Sequence, residues 1–246
     1  MTNTYTKRIG HWVISSFAIF AFSVMQNASA HTTVVPSSLD EGDRVFADLS
    51  ISHGCDGKPV RATGTVFPSK DSLLEKVGEP NVPVNFEDHL IVGRHAAARL
   101  SQDKDIFRKM EVTSAGDTTS FHWRKGYLQT DLTGQVPFRY SAPTFKDSSC
   151  AKQVDILIPI VNWCSRSRTA PDRADVWMGR LTEKFNDPDI QPVGFWPKIT
   201  VHRNMVANPF TNEKCGEGMD LEWSPTDAEI DELLPLRRYW PANLSR

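Results

Sequence analysis

Two sets of residues in this chain are equipped for chemistry: a histidine placed to become an N-terminus, and four cysteines. Residues 1–30 have the parts of an export signal, with a basic start at Lys7 and Arg8, an apolar run over 12–24 and the small-residue exit Ala28-Ser29-Ala30. That exit satisfies the A-x-A rule for cleavage. Cleavage after Ala30 leaves His31 with a free α-amine, so one residue offers two nitrogens, the amine and imidazole Nδ1, that close a chelate ring on a metal. Nitrogen donors in a tetragonal arrangement suit Cu(II). An α-amine of ordinary pKa, about 7.7–8.0, must lose its proton to bind, so affinity is expected to rise with pH through neutrality.

A firm site needs a third donor. Glu41 is the first candidate and Asp40 the second, both in the turn after Pro36; the alternative for each is a solvated turn carboxylate. Trp177 and Trp123 compete to be the ring that shields an open copper face. His53, beside Cys55 and Asp56, is either a further ligand or a side chain held by a hydrogen bond near a disulfide. His89 and His95 are not an i,i+4 pair, and His122 and His202 adjoin strand-like residues. No H-E-x-x-H, G-x-S-x-G or phosphate-loop motif occurs.

All four cysteines (Cys55, Cys150, Cys164, Cys215) lie beyond the signal. An even number in an exported chain points to two disulfides, with three pairings open. A four-thiolate metal site is disfavoured because no C-x-x-C pair exists. Past residue 30 there are 26 Lys and Arg against 30 Asp and Glu, since Lys7 and Arg8 are lost and no acid is. That balance argues against an electrostatic nucleic-acid binder. No later apolar run is long enough to span a bilayer as a helix.

These residues must be positioned by strands. Residues 45–52 alternate apolar and polar in their second half, 60–67 are β-branched and aromatic and end at Pro68, and 118–123 and 136–140 read likewise. Residues 154–161 form the most apolar run after the signal and predict a core strand, with Pro159 forcing a bulge or a strand end. Residues 72–76 and 86–100 read as short helices separated by Pro80 and Pro83, and Thr226 with Glu229 predicts a capped helix over 227–234. A poorly marked linker falls near 180–190. The expected fold is mainly β: an antiparallel β-sandwich of immunoglobulin-like kind with a short helical insertion and a C-terminal extension.

Four blocks occur in order: His31-Thr32-Thr33-Val34-Val35-Pro36 with Gly42; His53-Gly54-Cys55-Asp56-Gly57-Lys58-Pro59; Phe121-His122-Trp123-Arg124-Lys125-Gly126; and Ile158-Pro159-Ile160-Val161-Asn162-Trp163-Cys164, with Val176-Trp177 beyond. Together they resemble the YcnI-like copper-binding family, in the Gram-negative form that carries an H-G-C-D-G block. The resemblance covers about 31–180 and does not reach 181–246, and it matches 69–110 poorly. It implies a β-sandwich in which His31 binds Cu(II) through amine and imidazole, helped by an early carboxylate and a nearby Trp. Relatives place an acid where this chain has Ser38. The resemblance also pairs Cys55 with Cys164, which leaves Cys150 for Cys215; that second bridge closes a long loop and is worth roughly 3–5 kcal/mol.

The chain thus divides into a signal peptide (1–30), a sandwich (31–180) and an extension (181–246). The expected function is copper binding without turnover in the periplasm, as chaperone, store or buffer, with an envelope copper-handling protein as partner. The alternatives are a metal-free adhesion or assembly module and a copper oxidase or oxygenase, which would need a second His such as His53 or His95.

Overall fold

The computed structural model describes residues 31–52, 54–79, 82–93, 98–101, 105–167, 170, 173–190, 192–236 and 239. Residues 1–30, where a signal peptide is expected, and His53 and His95 lie outside the described residues. Sixteen strands are described, most of them in three sheets. The first sheet runs β1 (Thr33–Val35), β3 (Arg44–Ile51), β10 (Gly134–Ser141), β7 (Ala98–Leu100). The second runs β14 (Ala174–Trp177), β13 (Ile160–Trp163), β4 (Ala62–Phe67), β9 (Thr118–Gly126), β8 (Phe107–Ala115). The third runs β2 (Ser38–Asp40), β15 (Lys198–His202), β12 (Ala151–Leu157), β16 (Met219–Ser224), β5 (Leu73–Lys76). A ribbon of β6 (Leu90–Ile91) and β11 (Thr144–Phe145) joins them. The fold is a mainly β sandwich with antiparallel pairing throughout, except that β12 lies parallel to β16 and β15 parallel to β2.

Burial follows from position. Strand β10 alternates buried and exposed residues because one of its faces meets water. Every residue of β4 is buried, because the core covers one face and helix α2 (Asp227–Leu233) the other. Phe67 meets Phe138 across the layers at a ring-centroid distance of 5.1 Å. Pro159 acts as expected: the apolar run ends as β12 at Leu157 and resumes as β13 at Ile160, and the chain changes sheets between them. The proline has no N–H to offer, while its carbonyl accepts from the Thr65 hydroxyl at 3.0 Å.

Four expectations are corrected. Residues 72–76 are not a helix: Leu73–Lys76 is an edge strand on β16 that buries Leu74, and four residues are too few for helix propensity to outweigh a ladder. Among the described residues of 86–100, only the turn α1 (Phe86–His89) is helical, capped by Asn85 Oδ1 accepting from Glu87 N. Residues 181–246 are not an appended extension, since they supply β15 and β16, the strands that flank β12 on either side. Nor is 180–190 a linker. Phe185 is fully buried, and Asp231 of α2 accepts from the Thr182 hydroxyl (2.5 Å) and the Lys184 amide (3.2 Å).

The capping box forms as Thr226 and Glu229 predict, each side chain bonded to the other's backbone N–H. At the far end of α2, His122 Nε2 donates to the Leu233 carbonyl at 2.9 Å, which satisfies one of the acceptors that a helix C-terminus leaves open. His122 is 4 % exposed, and its Nδ1 faces Gly64, where even a methyl group would sit 2.7 Å away. Burial disfavours the imidazolium and pushes the pKa down to about 4. The unfolded chain therefore binds this proton more readily than the folded one between about pH 6.5 and 4, and stability falls as pH drops through that window. The full difference is about 3 kcal/mol. Urea unfolding at pH 7 and pH 4.5 should show this loss in the wild type and a smaller one in His122→Gln, although the variant starts from lower stability.

Candidate metal centre

His31 lies two residues before β1, and its surroundings follow from how Thr32 and that strand are held. Thr32 is 1 % exposed and points inward, where its hydroxyl accepts from Asn162 Nδ2 at 2.7 Å. Asn162 Oδ1 in turn accepts from the Thr63 hydroxyl at 2.8 Å. This Thr32–Asn162–Thr63 chain ties the first residues of the first sheet to two central strands of the second. On the other side, the His31 carbonyl accepts from the Ser52 hydroxyl at 3.3 Å.

Held in this way, the half-buried His31 ring lies 5.1 Å from the Trp177 ring and 4.5 Å from that of Phe195, while the two aromatic rings meet edge to face at 6.5 Å. Trp177 is 5 % exposed and Phe195 37 %, so the wall is closed on the core side and open towards water. Phe195 is absent from the sequence expectations, because a lone Phe in an irregular segment carries no signal of its own. Asp175 is a second such residue. It is half-buried, sits two residues before Trp177 on the same face of β14, and pairs across strands with Asn162. Its carboxylate lies within 4.8 Å of both sulfurs of the Cys55–Cys164 disulfide. The i,i+2 spacing of Asp175 and Trp177 on a strand was the available signal.

The structure does not bring the other expected ligands to His31. Glu41 lies at the opposite end of β3, an eight-residue strand about 25 Å long. The chain crosses from the first sheet to the third at Pro36 and carries Glu41 away. There its carboxylate accepts from the amides of Phe145 and Asn204, both at 2.8 Å, and from Asn208 Nδ2 at 3.0 Å. Asp40, opposite His202 on β15, is exposed at that same end. Trp123 is fully buried on β9, in edge contact with Phe121. Three strand spacings, about 14 Å, separate β9 from β14.

The remaining described histidines also have other places. His89 Nδ1 lies 2.9 Å from the Ser149 hydroxyl, and burial lowers its pKa. His202 Nε2 lies 3.1 Å from the Ser38 hydroxyl. The cysteines pair Cys55–Cys164, as the resemblance implied, and Cys150–Cys215, the pair then left over. The second bridge joins the residue before β12 to the turn before β16. Beside it Arg203, 4 % exposed, donates to the carbonyls of Ser149, Ala151 and Asn208.

The local chemistry yields two stability predictions. Asn162→Leu keeps the volume but strands two buried hydroxyls, at a cost of about 2–4 kcal/mol measured by denaturant unfolding. Glu41→Ala removes charge-assisted bonds to backbone amides, at about 1–3 kcal/mol. Hydrogen exchange should then quicken at Phe145 and Asn204 and stay unchanged at Thr33.

No family model matches this sequence, and no curated protein matches it. Among solved structures, the chain is similar to an uncharacterized protein from Nocardia farcinica with an immunoglobulin-like fold, at 10% identity over 71% of this chain and 99% of that one, with a TM-score of 0.32. It is also similar to the sixth cohesin from Acetivibrio cellulolyticus scaffoldin B, solved in complex with a Cel5 dockerin mutant, at 11% identity over 71% and 98%, with a TM-score of 0.33. A third match is CaCohA2 from Clostridium acetobutylicum, at 15% identity over 67% and 85%, with a TM-score of 0.31. These scores are too low to carry an argument about function, and the architecture stands on the strand pairings described above.

Proposed function

We propose that this chain is an exported Cu(II)-binding protein whose mature N-terminus, His31, supplies an amine and an imidazole nitrogen, and that it stores, buffers or delivers copper without turnover. One observation carries the reading: the His31 ring is half-buried against Trp177 and Phe195, next to Thr32, whose side chain is hydrogen-bonded into the core. A histidine that merely happened to come first would more often be frayed and solvated, as chain ends are. Asp175 replaces Glu41 and Asp40 as the carboxylate of the proposal, because it shares a strand face with Trp177 next to Asn162.

Each group has a role in this scheme. Cleavage after Ala30 frees the amine, and the five-membered chelate with Nδ1 favours a tetragonal nitrogen donor set. The aromatic wall keeps water from one side of the ion without acting as a strong ligand. Copper is cargo here, and the open side allows its exchange with an envelope partner. Two disulfides support an oxidising compartment such as the periplasm. Among the described residues no helix is long and apolar enough to cross a membrane.

The test is Cu(II) titration with electron paramagnetic resonance on the chain starting at His31, beside a form with one Ala added before it. The expected result is one tight site with nitrogen hyperfine structure and a Kd at least 100-fold weaker in the Ala-extended form. Affinity should rise roughly tenfold per pH unit below the amine pKa. Asp175→Asn should weaken binding about tenfold, while Glu41→Ala should leave it unchanged. Equal affinity in the native and extended forms would refute the proposal, and absence of binding in both would favour a metal-free binding module.

A further inference from the structure

We propose that Cys55, Cys164 and Asp175 form a second, redox-gated metal site, which binds Zn(II) through two thiolates and one carboxylate once the disulfide is reduced. The site shares Asp175 with the copper proposal but needs neither His31 nor a free N-terminus, and the thiolate band that tests it does not arise from copper binding. Among the described residues these three alone bring one donor atom each, two sulfurs and a carboxylate oxygen, within 4.8 Å of one another. A tetrahedral zinc with Zn–S near 2.3 Å and Zn–O near 2.0 Å separates its ligand atoms by about 3.5–3.8 Å. The donors therefore need only rotamer-scale movement to reach it.

The backbone that carries them is held independently of the S–S bond. Although 109 residues separate the cysteines in sequence, β13 pairs with β4 beside them, and the Arg61 amide donates to the Trp163 carbonyl at 2.7 Å. Cys164 follows β13, and its amide donates to the Arg173 carbonyl at 2.8 Å, which locks it to the strand that bears Asp175. Cys55 begins a short 3-10 turn, and its amide donates to Cys164 Sγ at 2.9 Å. An N–H aimed at a sulfur favours the thiolate over the thiol. The mixed sulfur and oxygen donor set suits Zn(II), which accepts both, better than Cu(I), which prefers sulfur alone.

The chemistry balances with a phosphine as reductant. The phosphine takes up the oxygen of one water and becomes the phosphine oxide, the S–S bond breaks, and each sulfur leaves with one electron more and one proton. Zn(II) then binds both sulfurs and releases the two protons. A dithiol reductant gives the same two thiols and becomes a disulfide itself. Disulfide and zinc are thus alternative cross-links between the same two segments.

The experiment uses the chain from His31 with Cys150→Ala and Cys215→Ala, so that reduction exposes only the two thiols in question. The protein is reduced with tris(2-carboxyethyl)phosphine and titrated with Co(II), whose thiolate charge-transfer absorption reports sulfur ligation. The expected result is one Co(II) per chain, displaced by one equivalent of Zn(II), with no such band in the oxidised protein. Asp175→Asn should weaken binding at least tenfold. If the double variant does not fold, the reduced four-cysteine chain is compared with its Cys55→Ser variant, which must lose one equivalent of thiolate-bound Co(II). The proposal is overturned by absence of the band, by equal affinity in Asp175→Asn, by an unchanged stoichiometry in Cys55→Ser, or by unfolding on reduction that stoichiometric Zn(II) does not reverse in circular dichroism.

Discussion

The buried amide of Asn162 is the constraint on which the arrangement of this protein turns. It is a polar residue in an apolar strand, fully buried, and its carbonyl and amino groups each hold a threonine hydroxyl, one on either side of the sandwich. A buried amide without such partners is costly, so the strands that bear Thr32 and Thr63 must arrive in register for the fold to be stable. The same contact sets the direction of the chain at Thr32. His31 is thereby turned towards Trp177 and Phe195 instead of solvent.

Around Asn162 the structure concentrates its remaining chemistry. Cys164 lies two residues on, Asp175 lies opposite on β14, and Cys55 completes the cluster through its disulfide. The other end of the sandwich is closed by different means. There Glu41 collects amides from two loops, Arg203 gathers carbonyls, and Cys150–Cys215 holds the entry to β12 against the entry to β16. One end is thus built for stability alone, whereas the Asn162 end combines stability with a set of donor atoms. A carboxylate as fully hydrogen-bonded as Glu41 would lose its loop contacts by turning to a metal.

Strands with one wet face were legible in the sequence, because alternation in 45–52 and around 136–140 reports the two faces directly. So were the strand end at Pro159 and the helix capped by Thr226 and Glu229, since each depends on neighbours in the chain. The short strands at 73–76, 90–91 and 98–100 were not legible: two to four residues carry no period, and only the partner strand decides their state. Likewise β15 and β16 could not be assigned to the centre of a sheet, because their partner β12 lies far upstream, with Leu157 opposite Lys198 and Ala151 opposite Met219. For the site, His31 and Trp177 were legible, but the carboxylate was sought nearby in sequence, and Pro36 takes that segment to another sheet. Asn162 was not singled out, although a lone polar residue within Ile160-Val161-Asn162-Trp163 stands where a buried strand accepts only a side chain with partners.

The central claim is that the mature N-terminus presents copper to the wall of Trp177 and Phe195 at the Asn162 end of the sandwich. Paramagnetic broadening in the amide NMR spectrum tests it most directly, with the chain from His31 titrated to one equivalent of Cu(II). The account predicts that signals of residues 32–33, 52, 175–177 and 195 vanish first, while those of Glu41, Asn204 and Asn208 stay sharp. Broadening centred on Glu41, or spread evenly over the exposed carboxylates, would contradict it.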